Sequence, residues 1–179
     1  IKKSDEFFDV LFIGQLSLRK GLHYLIEGFK KFKHPNKRLH IIGPQTEDKE
    51  FFHDKLKHEN INVYGHIPHL KLNDIINKCH VCVLPSLQDG FGLVVLQAAA
   101  AGCPSIVSEN TGSLDFVNKN KCGLVVPIKD SNSIAEKLEL LSDDKILLKQ
   151  LSLNAIKFSK NNTWENYVTG LDNLILDYK

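Results

Sequence analysis

Apolar residues in this chain follow two rhythms that alternate from one end to the other. Phe7 to Ile13 is a compact β-type run closed by Gly14. Gly21 to Phe32 then sets Leu22, Leu25, Ile26, Phe29 and Phe32 at helical spacing. The same exchange recurs downstream. Short strands are predicted at Leu39–Ile42, Ile61–Tyr64, Val81–Leu84, Ser105–Val107 and Gly123–Val126. Between them the spacing predicts helices at Glu47–Glu59, Leu70–Lys78, Leu93–Ala101 and Leu114–Asn118. Three more helices close the chain: Ser131–Leu141 with Ser131 as its expected N-cap, Asp144–Ser159, and a last one from about Thr163 to Tyr178.

Strands alternating with helices predict an α/β fold: a doubly wound parallel sheet, Rossmann-like, with helices on both faces. Ligands of such sheets bind at the carboxyl ends of the strands. Gly14, Gly43, Gly65 and Pro85 all close predicted strands, so the flexible positions gather on that edge. No repeat or composition shift divides the chain. Residues 1–179 therefore read as a single domain, with 131–179 as a packed helical extension.

The most informative stretch is Leu84 to Pro104. A strand enters a turn through Pro85 and Ser86, passes Gly90 and Gly92, and continues as a nearly unbroken apolar helix that Gly102 stops. A glycine turn feeding a helix start leaves several amide N–H groups unpaired, with the positive end of the helix dipole behind them. That is an anion site, most often for phosphate. Gln97 interrupts the apolar helix. Helical side chains lean toward the N-terminus, so Gln97 is expected to reach toward whatever the turn holds.

Composition narrows the field. Hydrophobic residues at 42% and charged residues at 25% are globular values, and a net charge of +2 gives no reason to invoke nucleic acid. No stretch approaches the roughly 18 apolar residues of a membrane span. Ile1-Lys2-Lys3-Ser4-Asp5 lacks a signal-peptide pattern, so the expected compartment is the cytoplasm. The chain has no methionine and is expected to be an excised domain. Of the cysteines Cys79, Cys82, Cys103 and Cys122, the Cys79-x-x-Cys82 pair invites a zinc or redox reading. It lies inside a buried strand pattern with no second pair at matching spacing, so packing is the expected role and no metal is expected.

With these elements placed, the chain resembles the C-terminal, nucleotide-sugar-binding half of GT-B glycosyltransferases of family 4. The matching pieces are Gly14-Gln15-Leu16 with Lys20-Gly21, Leu39 to Gly43, Val63 to Ile67, Leu84-Pro85-Ser86 with Asp89 to Leu93, Ala101 to Pro104, and Gly123 to Pro127. A terminal helix containing Trp164 also fits; in the family it commonly packs toward the other half. The resemblance implies transfer of a hexosyl group from a nucleoside-diphosphate sugar, with retention, without metal and with no separate cofactor. UDP- and GDP-sugars are both open. The acceptor, a glycan or lipid, would belong to an N-terminal domain absent from this chain, as would any membrane contact. The isolated piece is expected to be inactive.

Residue by residue, the resemblance implies that Lys20 holds the diphosphate, that Gly14 lets the backbone approach it, and that Gly90, Phe91, Gly92 and Leu93 complete the cradle. The family's glutamate pair falls on Asp89, toward the sugar, and Gln97, toward the ribose; Lys20 and Asp89 are the expected catalytic pair. Both family glutamates are altered. Asp89 keeps the charge at shorter reach, while Gln97 keeps an acceptor and loses the charge. Gln15 stands where an arginine often joins the lysine, and Arg19 is the expected substitute. His66 and Ile67 occupy the position where the family holds the base. Asp115 reads most simply as a helix-start residue. A rival reading is a non-catalytic regulatory or partner subunit with a degenerate donor site. A dinucleotide-dependent dehydrogenase half is disfavoured, since no Gly-x-Gly-x-x-Gly follows the first strand.

Overall fold

The computed structural model describes residue 3 and residues 6–177. Six strands form one all-parallel sheet in the order β3-β2-β1-β4-β5-β6. They are β1 (Phe8–Ile13), β2 (Lys37–Ile42), β3 (Ile61–Gly65), β4 (Val81–Leu84), β5 (Ser105–Ser108) and β6 (Gly123–Val126). Alternate residues of one strand feed opposite layers: Val10 and Phe12 enter the core beneath α1 (Leu22–Lys31), while Leu11 enters the core on the other face. Burial on both sides explains why the central strands read as continuous apolar runs rather than alternating ones.

Helix α1 buries Leu22, Leu25, Ile26 and Phe29 on the first face. It packs there beside α6 (Ser131–Asp143), which adds Ile134, Leu138 and Leu141. The second face is covered by α3 (His69–Ile76), α4 (Leu93–Ala100), α5 (Leu114–Asn120) and α7 (Lys145–Asn161) through Leu72, Ile76, Val95, Ala98, Ala99, Val117 and Ala155. Asp115 sits in the first turn of α5, as a helix-start residue does.

Three local expectations are corrected. The helix anticipated over Glu47–Glu59 is only Lys49–His53 (α2), followed by turns. Of its aromatic pair Phe52 is buried and Phe51 is not, so one anchor holds a single turn and a half. Helix α6 is capped by Asp130 rather than Ser131: its Oδ1 accepts from the amides of Asn132 and Ser133, both at 2.9 Å. Ser131 is the first helical residue. The last helix, α8 (Trp164–Asp177), is not packed as the extension was expected to be: Tyr167, Val168, Leu171, Leu174 and Ile175 are exposed. The side chain of Trp164, the helix end at Tyr178, and residues 1, 2, 4 and 5 of the N-terminal pentapeptide lie outside the described residues.

Candidate functional site

In a sheet of this order the chain winds outward from the centre in both directions. The connections leaving β1 and β4 diverge and open a crevice at the carboxyl ends of those strands. A cleft of about 400 Å³ lies there, lined by Ile13 at the end of β1 and Gly14 after it, Leu84 at the end of β4, Lys20, and the segment from Asp89 through Val94. A second cleft of about 390 Å³ lies under α2, between Leu16, Phe52 and Val63. Volume does not distinguish the two; position does, since only the first stands at the switch point.

The loops that form the cleft are fastened to one another. Residues Leu18–Lys20 make one turn of 3-10 helix, and Gly21 follows in the left-handed region at φ 66°. A Cβ on Gly21 would stand 1.9 Å from the Pro85 carbonyl oxygen, so the Lys20 loop can lie against the end of β4 only because this position is glycine. The Leu87 amide donates to the Arg19 carbonyl at 2.9 Å, and the Arg19 guanidinium donates back to the Gln88 carbonyl at 3.0 Å. On the far side, the Asp89 amide donates to Asn110 and the Asp89 carbonyl accepts from Gly112. Ser113 Oγ donates to the Phe91 carbonyl at 2.8 Å. Gly92, at φ 70°, starts α4; a Cβ there would meet Ser113 Oγ at 2.3 Å.

Between these braced loops Lys20 Nζ meets Asp89 Oδ2 at 2.5 Å, with the two side chains 16% and 13% exposed. A cation, a carboxylate and the unpaired first-turn amides of α4 thus share one open space. Phe91 and Leu93 stand exposed at its lip. The arrangement suits an anion seated against the helix start, with one ammonium group beside it.

The cleft brings together Gly14, Lys20, Asp89, Gly90, Phe91, Gly92 and Leu93. Gln15, Arg19, His66, Ile67 and Gln97 are not among its lining residues. Gln15 is exposed beside the mouth, and the Arg19 guanidinium is held on the Gln88 carbonyl. His66 is exposed, whereas Ile67 packs with Ile13 against the core beneath α3. Gln97 is half-buried on α4. Sequence reasoning missed the apolar walls Ile13, Leu84 and Val94, and the turn at Asn110–Ser113 that supports the glycines. The close spacing of Thr111, Gly112 and Ser113, all small, was the available signal.

Cys79, Cys82 and Cys103 are buried free thiols in the core beneath α3 and α4. Burial pushes all three up, Cys103 to about 11, which opposes the thiolate form that a metal or a redox reaction requires. Among the described residues no group of three His, Cys, Asp or Glu side chains is placed to hold a metal ion, and no helix is long and apolar enough to cross a membrane.

Fold and cleft together define a Rossmann-like α/β domain with an open crevice at the switch point of its sheet. Residues 1–158 match the family model described as "Glycosyl transferases group 1", and the chain belongs to that family. It is 32% identical over 178 residues to the capsular polysaccharide biosynthesis glycosyltransferase CapM of Staphylococcus aureus, covering 92% of this chain and 46% of CapM. Sucrose-phosphate synthase from Thermosynechococcus elongatus superposes with a TM-score of 0.85 at 25% identity, over 97% of this chain and 46% of that one. The fold of Anabaena Alr3699/HepE, solved in complex with UDP, matches with a TM-score of 0.86 at 16% identity, over 97% of this chain and 50% of that one. The chain thus spans about half the length of these proteins.

Proposed function

We propose that this chain is the donor-binding half of a retaining, metal-independent glycosyltransferase that takes a hexosyl group from a nucleoside-diphosphate sugar. The observation that carries the reading is the meeting of Lys20 with the glycine turn of α4 in one cleft at the sheet's switch point. Breaking the bond between the anomeric carbon and the diphosphate leaves negative charge on the leaving group. Fixed dipoles and a positioned cation stabilise such charge without reorganising. In this reading the amides of Phe91, Gly92 and Leu93 face the phosphates, Gly14 gives room for their approach, and Lys20 supplies the charge. Asp89 faces the sugar, Gln97 the ribose, and His66 with Ile67 the base. Gln15 borders the diphosphate from the Lys20 loop, while Arg19, held on the Gln88 carbonyl, braces that loop against the Asp89 turn instead of meeting the phosphates.

The likeness to HepE, a protein seen with UDP, supports a nucleotide of this kind, and the likeness to CapM supports a glycan or lipid acceptor. The acceptor and the group that takes its proton belong to the other half of a longer protein. The exposed apolar row of α8 is the surface we assign to that half. Accordingly, the 179-residue piece is expected to bind a donor and to show no measurable turnover by itself.

Calorimetric titration with UDP and GDP tests the reading. Lys20→Ala is expected to weaken binding of the preferred nucleotide by about 1–3 kcal/mol, the worth of a charge-assisted contact. An unchanged affinity would remove Lys20 from the site. No heat with either nucleotide at millimolar concentration, on folded protein, would favour the non-catalytic relative.

A further inference from the structure

Lys20 and Asp89 satisfy each other inside the cleft, at 2.5 Å and largely out of water. We infer that this ion pair is an exchange latch through which the site selects a sugar-bearing nucleoside diphosphate over a bare one. The inference rests on the reading of the cleft as a nucleotide-sugar site.

Phosphate oxygens seated on the α4 turn compete directly with Asp89 for the Lys20 ammonium. The exchange needs no loop movement. The Lys20 amide is held by the Ser17 carbonyl at 3.2 Å, and the Asp89 backbone is pinned on both sides by Asn110 and Gly112. Only the two side chains have to turn. Arg19 offers no second partner within the cleft, because its guanidinium is on the Gln88 carbonyl.

Once displaced, the Asp89 carboxylate stays in the same cleft as the incoming phosphates, with like charge beside it and its ammonium partner gone. A ligand that ends at the diphosphate leaves it in that condition. A ligand that continues into a sugar brings hydroxyl donors, and a carboxylate accepting from them forms charge-assisted hydrogen bonds. The difference between the two ligands therefore falls on Asp89, and it acts as much by penalising the wrong ligand as by rewarding the right one.

The test is titration of the wild-type chain, Asp89→Asn and Asp89→Ser with UDP and UDP-glucose, and with GDP and GDP-glucose. Thermal unfolding of each variant confirms its fold, and either variant suffices if the other unfolds. Both substitutions leave the backbone bonds of position 89 in place. For the base that wild type binds, the variants are expected to hold the bare diphosphate about tenfold tighter. They are expected to gain much less for the sugar-bearing ligand, so that the wild-type preference shrinks or inverts. Unchanged or weaker binding of the bare diphosphate overturns the latch and leaves the nucleotide site standing. Equal tightening of both ligands overturns the selection. Failure of wild type to bind any of the ligands overturns the site reading, and the latch with it.

Discussion

Asp9→Ala is expected to lower the stability of this domain by about 3–5 kcal/mol at neutral pH, the cost of removing one partner from a buried ion pair. Asp9 lies within β1 with no solvent exposure. Its carboxylate accepts from Arg38 Nε at 2.7 Å and Nη2 at 3.0 Å, and pairs with His40 Nε2 at 2.8 Å. His40 in turn reaches the Tyr64 hydroxyl at 2.8 Å, and Arg38 lies over the Phe7 ring. Alanine would leave His40 and part of Arg38 buried without their acceptor. Asparagine keeps the volume but presents an amide donor toward groups that already donate, so it is not expected to rescue. The acid limb gives a second readout. Burial alone pushes the Asp9 carboxyl up, yet hydrogen bonds from His40 and Arg38 outweigh it and hold the group below its ordinary 3.8. A carboxylate that is harder to protonate when folded confers stability that is fully present above about pH 4 and is lost as pH falls through the folded value. Urea unfolding at pH 7 and pH 3 should therefore show a wide gap between wild type and Asp9→Ala that narrows in acid. A loss under about 1 kcal/mol at pH 7 would mean that water already compensates the network.

That network also marks where the sequence stops being legible. Asp9 falls inside Phe7–Ile13, and its apolar neighbours are enough to announce a strand, so the run reads correctly and the carboxylate passes unnoticed. Its partners stand 29 and 31 residues away, a pairing that only the β1–β2 register creates. Lys20 and Asp89 are alike in this: each residue is legible from its turn, but their contact across 69 residues is a product of the strand order. Local signals fared according to how much tertiary packing agreed with them. The β4 strand was legible because burial on both sides leaves no polar position to confuse the period. Helix α4 was legible because its residues other than Gln97 are apolar and Gly92 and Gly102 bracket them, although only Val95, Ala98 and Ala99 are buried. The stretch Glu47–Glu59 is rich in helix formers, but only Phe52 and, in part, Leu56 find a core, and propensity without burial sustains a short helix. At α6 both Asp130 and Ser131 are good caps by type, and the choice between them turns on backbone geometry one residue apart.

Gly21→Ala is expected to cost about 2–5 kcal/mol, and the size follows from two separable terms. The first is conformational. At φ 66° an L-residue pays about 1–2 kcal/mol for the left-handed region. The second is collision: a Cβ would stand 1.9 Å from the Pro85 oxygen and 2.8 Å from its carbonyl carbon. That neighbour is backbone and cannot rotate away, so relief requires moving a loop, at about 1–3 kcal/mol. Gly65 supplies the control. It adopts the same region at φ 67° with nothing within 4 Å of its missing Cβ, so Gly65→Ala should lose only the conformational term. Chemical denaturation of the two variants gives the collision by difference. The direction of relief matters for function. Moving Pro85 away from Gly21 parts the Lys20 loop from the Asp89 turn and lengthens the Leu87–Arg19 contact that ties them. The Gly21 variant should therefore also weaken nucleotide binding, even at temperatures where it remains folded. Equal losses of stability in the two glycine variants would show that the loops part without resistance. The cleft would then not be a preformed site, and the weight placed on its geometry would pass to ligand-induced closure.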